Sequence, residues 1–447
     1  MKVVISAGGK GTRISSIASD IPKPMIPIDG MPVIERELQN LKEQGFTDII
    51  ITVSHLGNII IDYFGDGSKI SPVTGESFGL NIKYFFEETP LGTAGALFKL
   101  KDELKDDFLL LNGDAIFDID FNRFVNYHKQ KGGLVTLFTH PNSHPYDSGL
   151  IITENDGSVK EWLSKEENRP KYYKNRVNAG LHVISPEVLK MNINTEKVDL
   201  DRQILKPLCK TGKVYAYDSP EYVKDMGTPD RYYLVQDNFI NGVVEKKNLK
   251  NKQRCIFLDR DGTINKYVGF VRNEEEFELI PGVAESIKKL NDLGYLVIVI
   301  TNQPVIARGE VTYEELDYIH NKMETLLGNE GAYVDGIYYC PHHPHKGYDG
   351  EIPELKIECE CRKPKPGLIL KAAKEFNIDL ENSWMVGDSE IDILAGKNAG
   401  CKTALITTDE INYGQTETVY SLSELIDEII INEFIDDNKQ KTLGRSK

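Results

Sequence analysis

"CIFLDRDGTIN", residues 255–265, runs four apolar residues into an aspartate, an arginine, a second aspartate and a glycine. A short apolar run closed by a turn signal reads as a buried strand. Asp259 and Asp261 then stand at the strand's end. The same device recurs downstream: "LVIVITN" ends on Thr301 and Asn302, "GIYYC" ends on Cys340, and "SWMVGDS" ends with Asp388. Amphipathic stretches such as "AESIKKLNDLG" lie between these runs. Strands alternating with helices predict a largely parallel sheet covered on both faces.

Upstream the plan appears a first time, in "KVVISA", "DIIITVS", "FLLLNGD" and "LVTLFTH", with "MPVIERELQNLKEQG" as a helix closed by Gly45. A chain of 447 residues exceeds the usual single core. The fold class read here is α/β: two Rossmann-like, three-layer domains. The expected bounds are 1–240, a lysine-rich linker at 241–252, a second domain at 253–431 and a polar tail at 432–447. The halves share a layer plan and no motif, so no internal repeat is read.

The net charge of −16 argues against a general nucleic-acid binder. No apolar stretch approaches a membrane span, and "MKVVISAGGKG" breaks into glycines where a signal peptide would continue. Six clustered cysteines do not make a secreted disulfide framework. These features predict a cytoplasmic enzyme with no membrane partner; a homo-oligomer is compatible with them.

In "ISAGGKGTR", Gly8, Gly9 and Gly11 let the backbone approach a phosphate, and Arg13 supplies a fork-shaped donor. A glycine loop alone is as often a tight turn. "PKPM", residues 22–25, changes that balance, because two prolines hold Lys23 on a stiff segment. Together these motifs resemble the sugar-1-phosphate nucleotidyltransferases over about residues 1–240. The resemblance implies a mixed sheet of GT-A type and a triphosphate loop including Thr12. It implies a base-and-ribose loop at 87–97 carrying Glu88, Gly92 and Thr93, and sugar contacts at Asn178 and Lys165. It also implies magnesium on Asp114 and Asp225. Arg13 and Lys23 would stabilise the reacting phosphates. Ser164-Lys165 departs from the family's usual glutamate-lysine pair. Thr228-Pro229-Asp230 reads as a helix start.

"FLDRDGTIN", Thr301, "CRKPKPG" and "MVGDSEID" come in the order of the haloacid dehalogenase-like phosphatases, which they resemble. That resemblance implies Asp259 as nucleophile and Asp261 as acid and base. It implies magnesium on Asp259, the Asp261 carbonyl and Asp388, and a phosphate site completed by Thr301, Asn302 and Lys363. "CPHHP" with "CEC" offers Cys340, His342, Cys359 and Cys361 as a closed structural zinc set, with His343 and His345 competing for the His342 place. The zinc loop resembles heptose bisphosphate phosphatases and histidinol phosphatases. In the heptose type, Arg308 and Arg362 would contact the distal phosphate. Pro304-Val305 departs from the usual Ser-Gly pair.

One pathway accommodates both resemblances. Loss of the 7-phosphate from D-glycero-α-D-manno-heptose 1,7-bisphosphate gives a 1-phosphate. Transfer of GMP from GTP would then give a GDP-heptose for lipopolysaccharide or S-layer glycan. Three alternatives stay open at this point: a histidinol-phosphatase-like second domain, mannose 1-phosphate or another base in the first, and a first domain that senses nucleotide sugar without catalysis.

Overall fold

The structure, a computed structural model, describes residues 1–9, 17, 20–193, 196–432 and 435. The chain divides into two compact units, and the division is not contiguous. Unit 1 comprises 1–140, 149–164 and 176–248; unit 2 comprises 141–148, 165–175 and 249–447.

Unit 1 is built on a mixed nine-stranded sheet. Asn81–Phe86, at one end of the strand order, then Asp48–Val53, Val3–Ser6 and Phe108–Asn112 lie side by side and parallel. Val3, Val4, Ile5, Ile49, Ile50 and Ile51 are all buried, which is why these runs are continuously apolar rather than alternating. Val177–Ile184 joins the Phe108–Asn112 edge antiparallel and makes the sheet mixed. The helix Val33–Glu43 ends, as expected, with Gly45 just beyond it at a φ of +86°. Thr228 caps the helix Pro229–Ile240, its hydroxyl accepting from the Arg231 amide, with proline at the first turn.

Unit 2 holds a six-stranded sheet that is parallel throughout. Its order is Gly336–Cys340, Leu296–Asn302, Cys255–Leu258, Trp384–Gly387, Lys402–Ile406 and Glu417–Val419. The chain therefore starts mid-sheet, winds one way for two strands and returns to wind the other way. This is the doubly wound order, with a switch point beside Cys255–Leu258.

The expected linker, 241–252, contains the change of unit between residues 248 and 249. Val243–Lys246 is helical, and Val243, Val244 and Leu249 are buried. Three apolar residues inside a lysine-rich run supply core contacts that composition averages away. Most of the expected tail, like Gly11, Thr12 and Arg13, lies outside the described residues. No helix among the described residues is long and apolar enough to cross a membrane.

Candidate active sites

Unit 1 has a cleft of about 710 Å³ over the carboxyl ends of its four parallel strands. Ser6, Ala7, Gly8 and Gly9 follow the first strand; Thr52, Ser54 and His55 close the second; Glu87 and Glu88 follow the third; Asn112 and Asp114 follow the fourth. The strand order reverses at the first strand, and ligands of open α/β sheets bind at such a reversal. The Ser54 hydroxyl donates to the Gly8 carbonyl at 2.7 Å and fixes the start of the glycine loop.

Lys23 is buried, and its Nζ lies 2.7 Å from Asp114 Oδ2. Pro22 and Pro24 flank it in a short 3₁₀ turn, so the ammonium is set from a rigid backbone. Asp225 stands opposite Ala115 on an antiparallel ladder, and the Met226 amide donates to the Asp114 carbonyl. The two aspartates thus sit at neighbouring strand ends. Asp225 is held by Arg231 Nη1 and by the Gly227 amide, both at 2.6 Å, and Gly227 rather than Asp225 lines the cleft.

Gly92, Thr93 and Glu88 line the cleft as expected. Asn178 and Lys165 do not. Lys165 groups with unit 2 instead. Asn178 accepts from the Gly180 amide at 3.3 Å within a bulge of its strand. Gly180 has a φ of +77°, and a Cβ there would lie 2.3 Å from Asn112 Nδ2. The bulge therefore sets Asn112, a cleft residue that no motif had pointed to. His55 and Lys197 also line the cleft and carry no motif signal.

In unit 2 the carboxyl ends of three adjacent strands meet at the switch point. Lys363 is buried; its Nζ donates to Asp259 Oδ1 and Asp392 Oδ1, both at 2.6 Å, and to the Ile300 carbonyl at 2.8 Å. Asp259, Asp388 and Asp392 place carboxylate oxygens within 4.8 Å of one another. One ammonium does not neutralise three carboxylates in so buried a place. Burial pushes the Asp259 carboxyl up to about 7 against the pull of Lys363, and burial together with Asp392 lifts Asp388 to about 6. A hard divalent cation among these oxygens would relieve that excess charge, so the donor set fits one.

The Asp261 carboxylate lies outside this cluster. Arg260, fully buried, grips it through Nη2 at 3.0 and 2.9 Å, and Asn265 and Gln303 donate to it at 3.1 and 2.9 Å. Gln303 also donates to the Thr301 hydroxyl at 2.8 Å. Asn302 and Lys363 exchange amide hydrogen bonds at 3.1 and 3.0 Å, tying the second strand's end to the Lys363 loop. Pro304-Val305 is accommodated without disruption: Val305 is buried among Ile306, Val311 and Leu316, and the Pro304 carbonyl accepts from the Arg308 amide.

Cys340, His342, Cys359 and Cys361 converge on one point. Their sulfurs are 3.2 to 3.5 Å apart, and His342 Nδ1 is 3.2 and 3.6 Å from two of them. These separations are too long for a disulfide and close to the edges of a tetrahedral zinc site, about 3.8 Å for ~2.3 Å Zn–S bonds. His343 turns instead to Arg308, its Nε2 lying 3.3 Å from Nη2, and His342 is the histidine grouped with the three cysteines. Arg362 Nη1 donates to the His342 carbonyl at 3.2 Å, so the cysteine-histidine loop is joined directly to the residue before Lys363.

A glycine-loop cleft in one unit and a lysine-aspartate cluster in the other fit a chain with two phosphate chemistries, one for a nucleotide and one for a phosphomonoester. The nucleotidyl transferase family model matches residues 2–241, and a HAD-hydrolase-like model matches residues 360–429. The D-glycero-beta-D-manno-heptose-1,7-bisphosphate 7-phosphatase of Pasteurella multocida is 42% identical over 179 residues, covering 39% of this chain and 94% of that protein. The D-glycero-alpha-D-manno-heptose-1,7-bisphosphate 7-phosphatase of Photorhabdus laumondii is 39% identical over 184 residues, covering 40% and 98%. Among solved structures, HddC from Yersinia pseudotuberculosis matches with 26% identity and a TM-score of 0.45, over 53% of this chain and 99% of that one. The chain belongs to the nucleotidyl transferase family through its N-terminal part and to the heptose-bisphosphate phosphatases, HAD-like enzymes, through its C-terminal part. It is a bifunctional transferase and hydrolase.

Proposed function

We propose that this enzyme removes the 7-phosphate of D-glycero-α-D-manno-heptose 1,7-bisphosphate and then joins the 1-phosphate to GMP from GTP, releasing pyrophosphate. The observation that carries this reading is the near full-length likeness of the C-terminal part to heptose bisphosphatases, on a chain whose other part transfers nucleotides. A bisphosphatase that spares the 1-phosphate produces the nucleophile a nucleotidyltransferase needs. Relatives named for either anomer match, so the α anomer goes with the proposed GMP transfer and not with those relatives. We place the reaction in the cytoplasm, feeding a surface polysaccharide.

In the phosphatase, Asp259 is the nucleophile, attacking phosphorus from its seat on Lys363. Asp261 protonates the departing sugar oxygen and then takes a proton from water. Lys363, Thr301 and Asn302 hold the phosphoryl oxygens. Magnesium, held by Asp259, the Asp261 carbonyl and Asp388, would offset negative charge as two anions approach. In the transferase, Lys23 would sit against the reacting phosphates, and Asp114 and Asp225 would hold magnesium and so supply charge neutralisation there. The ionised sugar phosphate needs no general base. Gly11, Thr12 and Arg13 complete the triphosphate side in this reading.

The deciding experiment offers each anomer of heptose 1,7-bisphosphate with each nucleoside triphosphate in turn. GDP-heptose from the α anomer is expected. Phosphate release followed by transfer to a different sugar phosphate only, or from a different nucleotide only, would overturn the pairing.

Zinc is proposed at Cys340, His342, Cys359 and Cys361, near one equivalent per chain. Its binding contributes folding free energy to the loop that leads into Arg362 and Lys363. Cys359→Ser with Cys361→Ser is expected to remove most of the zinc and lower phosphatase activity, with no rescue by magnesium. Full phosphatase activity in a wild-type preparation shown by elemental analysis to hold no zinc would rule the site out.

A further inference from the structure

Arg308 occupies an unusual seat. Its guanidinium lies between two aromatic rings, 4.3 Å from the Phe270 centroid and 4.5 Å from that of Tyr348. Its Nη2 meets His343 Nε2 at 3.3 Å. Arginine only donates, so this nitrogen accepts; the opposite ring nitrogen lies 3.1 Å from the His345 carbonyl and 3.5 Å from Lys356 Nζ. Arg308 Nε is buried with no hydrogen-bond partner among the described residues. Phe270, His343 and Tyr348 thus set the guanidinium's plane, while part of its donor fork is left unused.

Tyr348 comes from the excursion between His342 and Cys359, and that excursion is fastened at both ends of its turn. Glu351 Oε2 accepts from the amides of Gly347 and Tyr348, each at 3.0 Å. The Lys356 side chain is fully buried, with its Nζ 3.3 Å from Glu351 and 4.4 Å from the Tyr348 ring centroid. The excursion is also clamped onto the Arg308 turn itself. The Ile352 amide donates to the Ala307 carbonyl at 3.0 Å. Gly309, at a φ of +70°, leaves room for the Gly350 carbonyl oxygen, which a Cβ would meet at 1.9 Å. Arg362, meanwhile, bonds the His342 carbonyl, so both arginines converge on the same dipeptide.

We infer that Tyr348, fixed by the Glu351–Lys356 pair, is a positioning residue that orients Arg308 toward a second anionic group on the substrate, so that residues 343–356 set the preference for sugar bisphosphates over monophosphates. The inference rests on the reading of Arg308 as a contact to the distal phosphate. A planar guanidinium can present its fork to a phosphate in only one plane, and stacking between two rings fixes that plane before the substrate arrives.

The test compares kcat/KM for removal of the 7-phosphate from heptose 1,7-bisphosphate and from heptose 7-phosphate, with the monophosphate as internal reference. Tyr348→Ala and Tyr348→Leu are expected to reduce the preference by roughly 3- to 30-fold, the range of a desolvated cation–π contact. The loss should fall on KM for the bisphosphate. Tyr348→Phe keeps the ring and should keep the preference. Gly309→Ala, which pushes the excursion off the turn without touching Tyr348, should reproduce the loss. Arg308→Ala separates the two ideas. If it abolishes the preference while Tyr348→Ala and Tyr348→Leu leave it whole, the inference is wrong and the distal-phosphate reading stands. If Arg308→Ala itself leaves the preference whole, both fall.

Discussion

Asp259→Asn is expected to give a folded enzyme that still releases pyrophosphate from a nucleoside triphosphate and a sugar 1-phosphate, yet frees no inorganic phosphate from the bisphosphate. The amide oxygen of asparagine cannot form and hydrolyse an acyl phosphate at a useful rate, and loss of a covalent nucleophile costs roughly 10⁴-fold or more. Misfolding is not an adequate explanation for such a loss. Burial already pushes the Asp259 carboxyl up to about 7, so the folded protein disfavours its charge, and a neutral side chain of the same shape removes that penalty. Lys363 keeps Asp392 and the Ile300 carbonyl as partners. Phosphate release measured near the wild-type rate would remove Asp259 from the nucleophile's place. A loss of both activities together would instead point to a general defect in the protein.

What the sequence disclosed and what it hid differ for a physical reason. Strands such as Val3–Ser6 and Cys255–Leu258 are covered on both faces, so burial writes itself as an unbroken apolar run. Motif residues at the ends of those runs were legible because a parallel sheet collects strand ends on one edge. Asp259, Thr301 and Asp388 therefore stand at strand ends in the sequence pattern and in the fold alike. Residues that reach the sites from elsewhere left no such trace. Gln303 is two positions from Thr301, but its bridge between Thr301 and Asp261 depends on side-chain direction, not spacing. Arg260, between the two aspartates, carries no positional signal of its own and is fully buried on Asp261. Lys165 was assigned by position after a hairpin, and chain order did not reveal that 165–175 groups with unit 2. Within 241–252, the buried Val243, Val244 and Leu249 leave little trace in composition because lysines dilute them.

The same edge rule sharpens the prediction for the other cleft. Asp114 follows the strand next to the one that bears the glycine loop, and its carboxylate faces Lys23 at 2.7 Å. Asp114 is half exposed while Lys23 is buried, so the aspartate can exchange its partner and the lysine cannot move far. Asp114→Ala removes a proposed magnesium ligand and the counter-charge that aims Lys23. Asp114→Asn keeps the volume and a hydrogen-bond acceptor but not the charge. Nucleotidyl transfer is expected to fall on the order of 10³-fold in both, because charge neutralisation at a reacting phosphate is lost in each. Phosphate release from the bisphosphate should stay at the wild-type rate in the same preparations. Raising magnesium distinguishes the causes. Partial recovery in Asp114→Asn means weakened cation binding, and none in either variant means that aiming Lys23 is the greater part. Wild-type pyrophosphate release from Asp114→Ala would exclude Asp114 from both roles. The cleft's chemistry would then have to rest on Lys23 with Asp225 and Arg13.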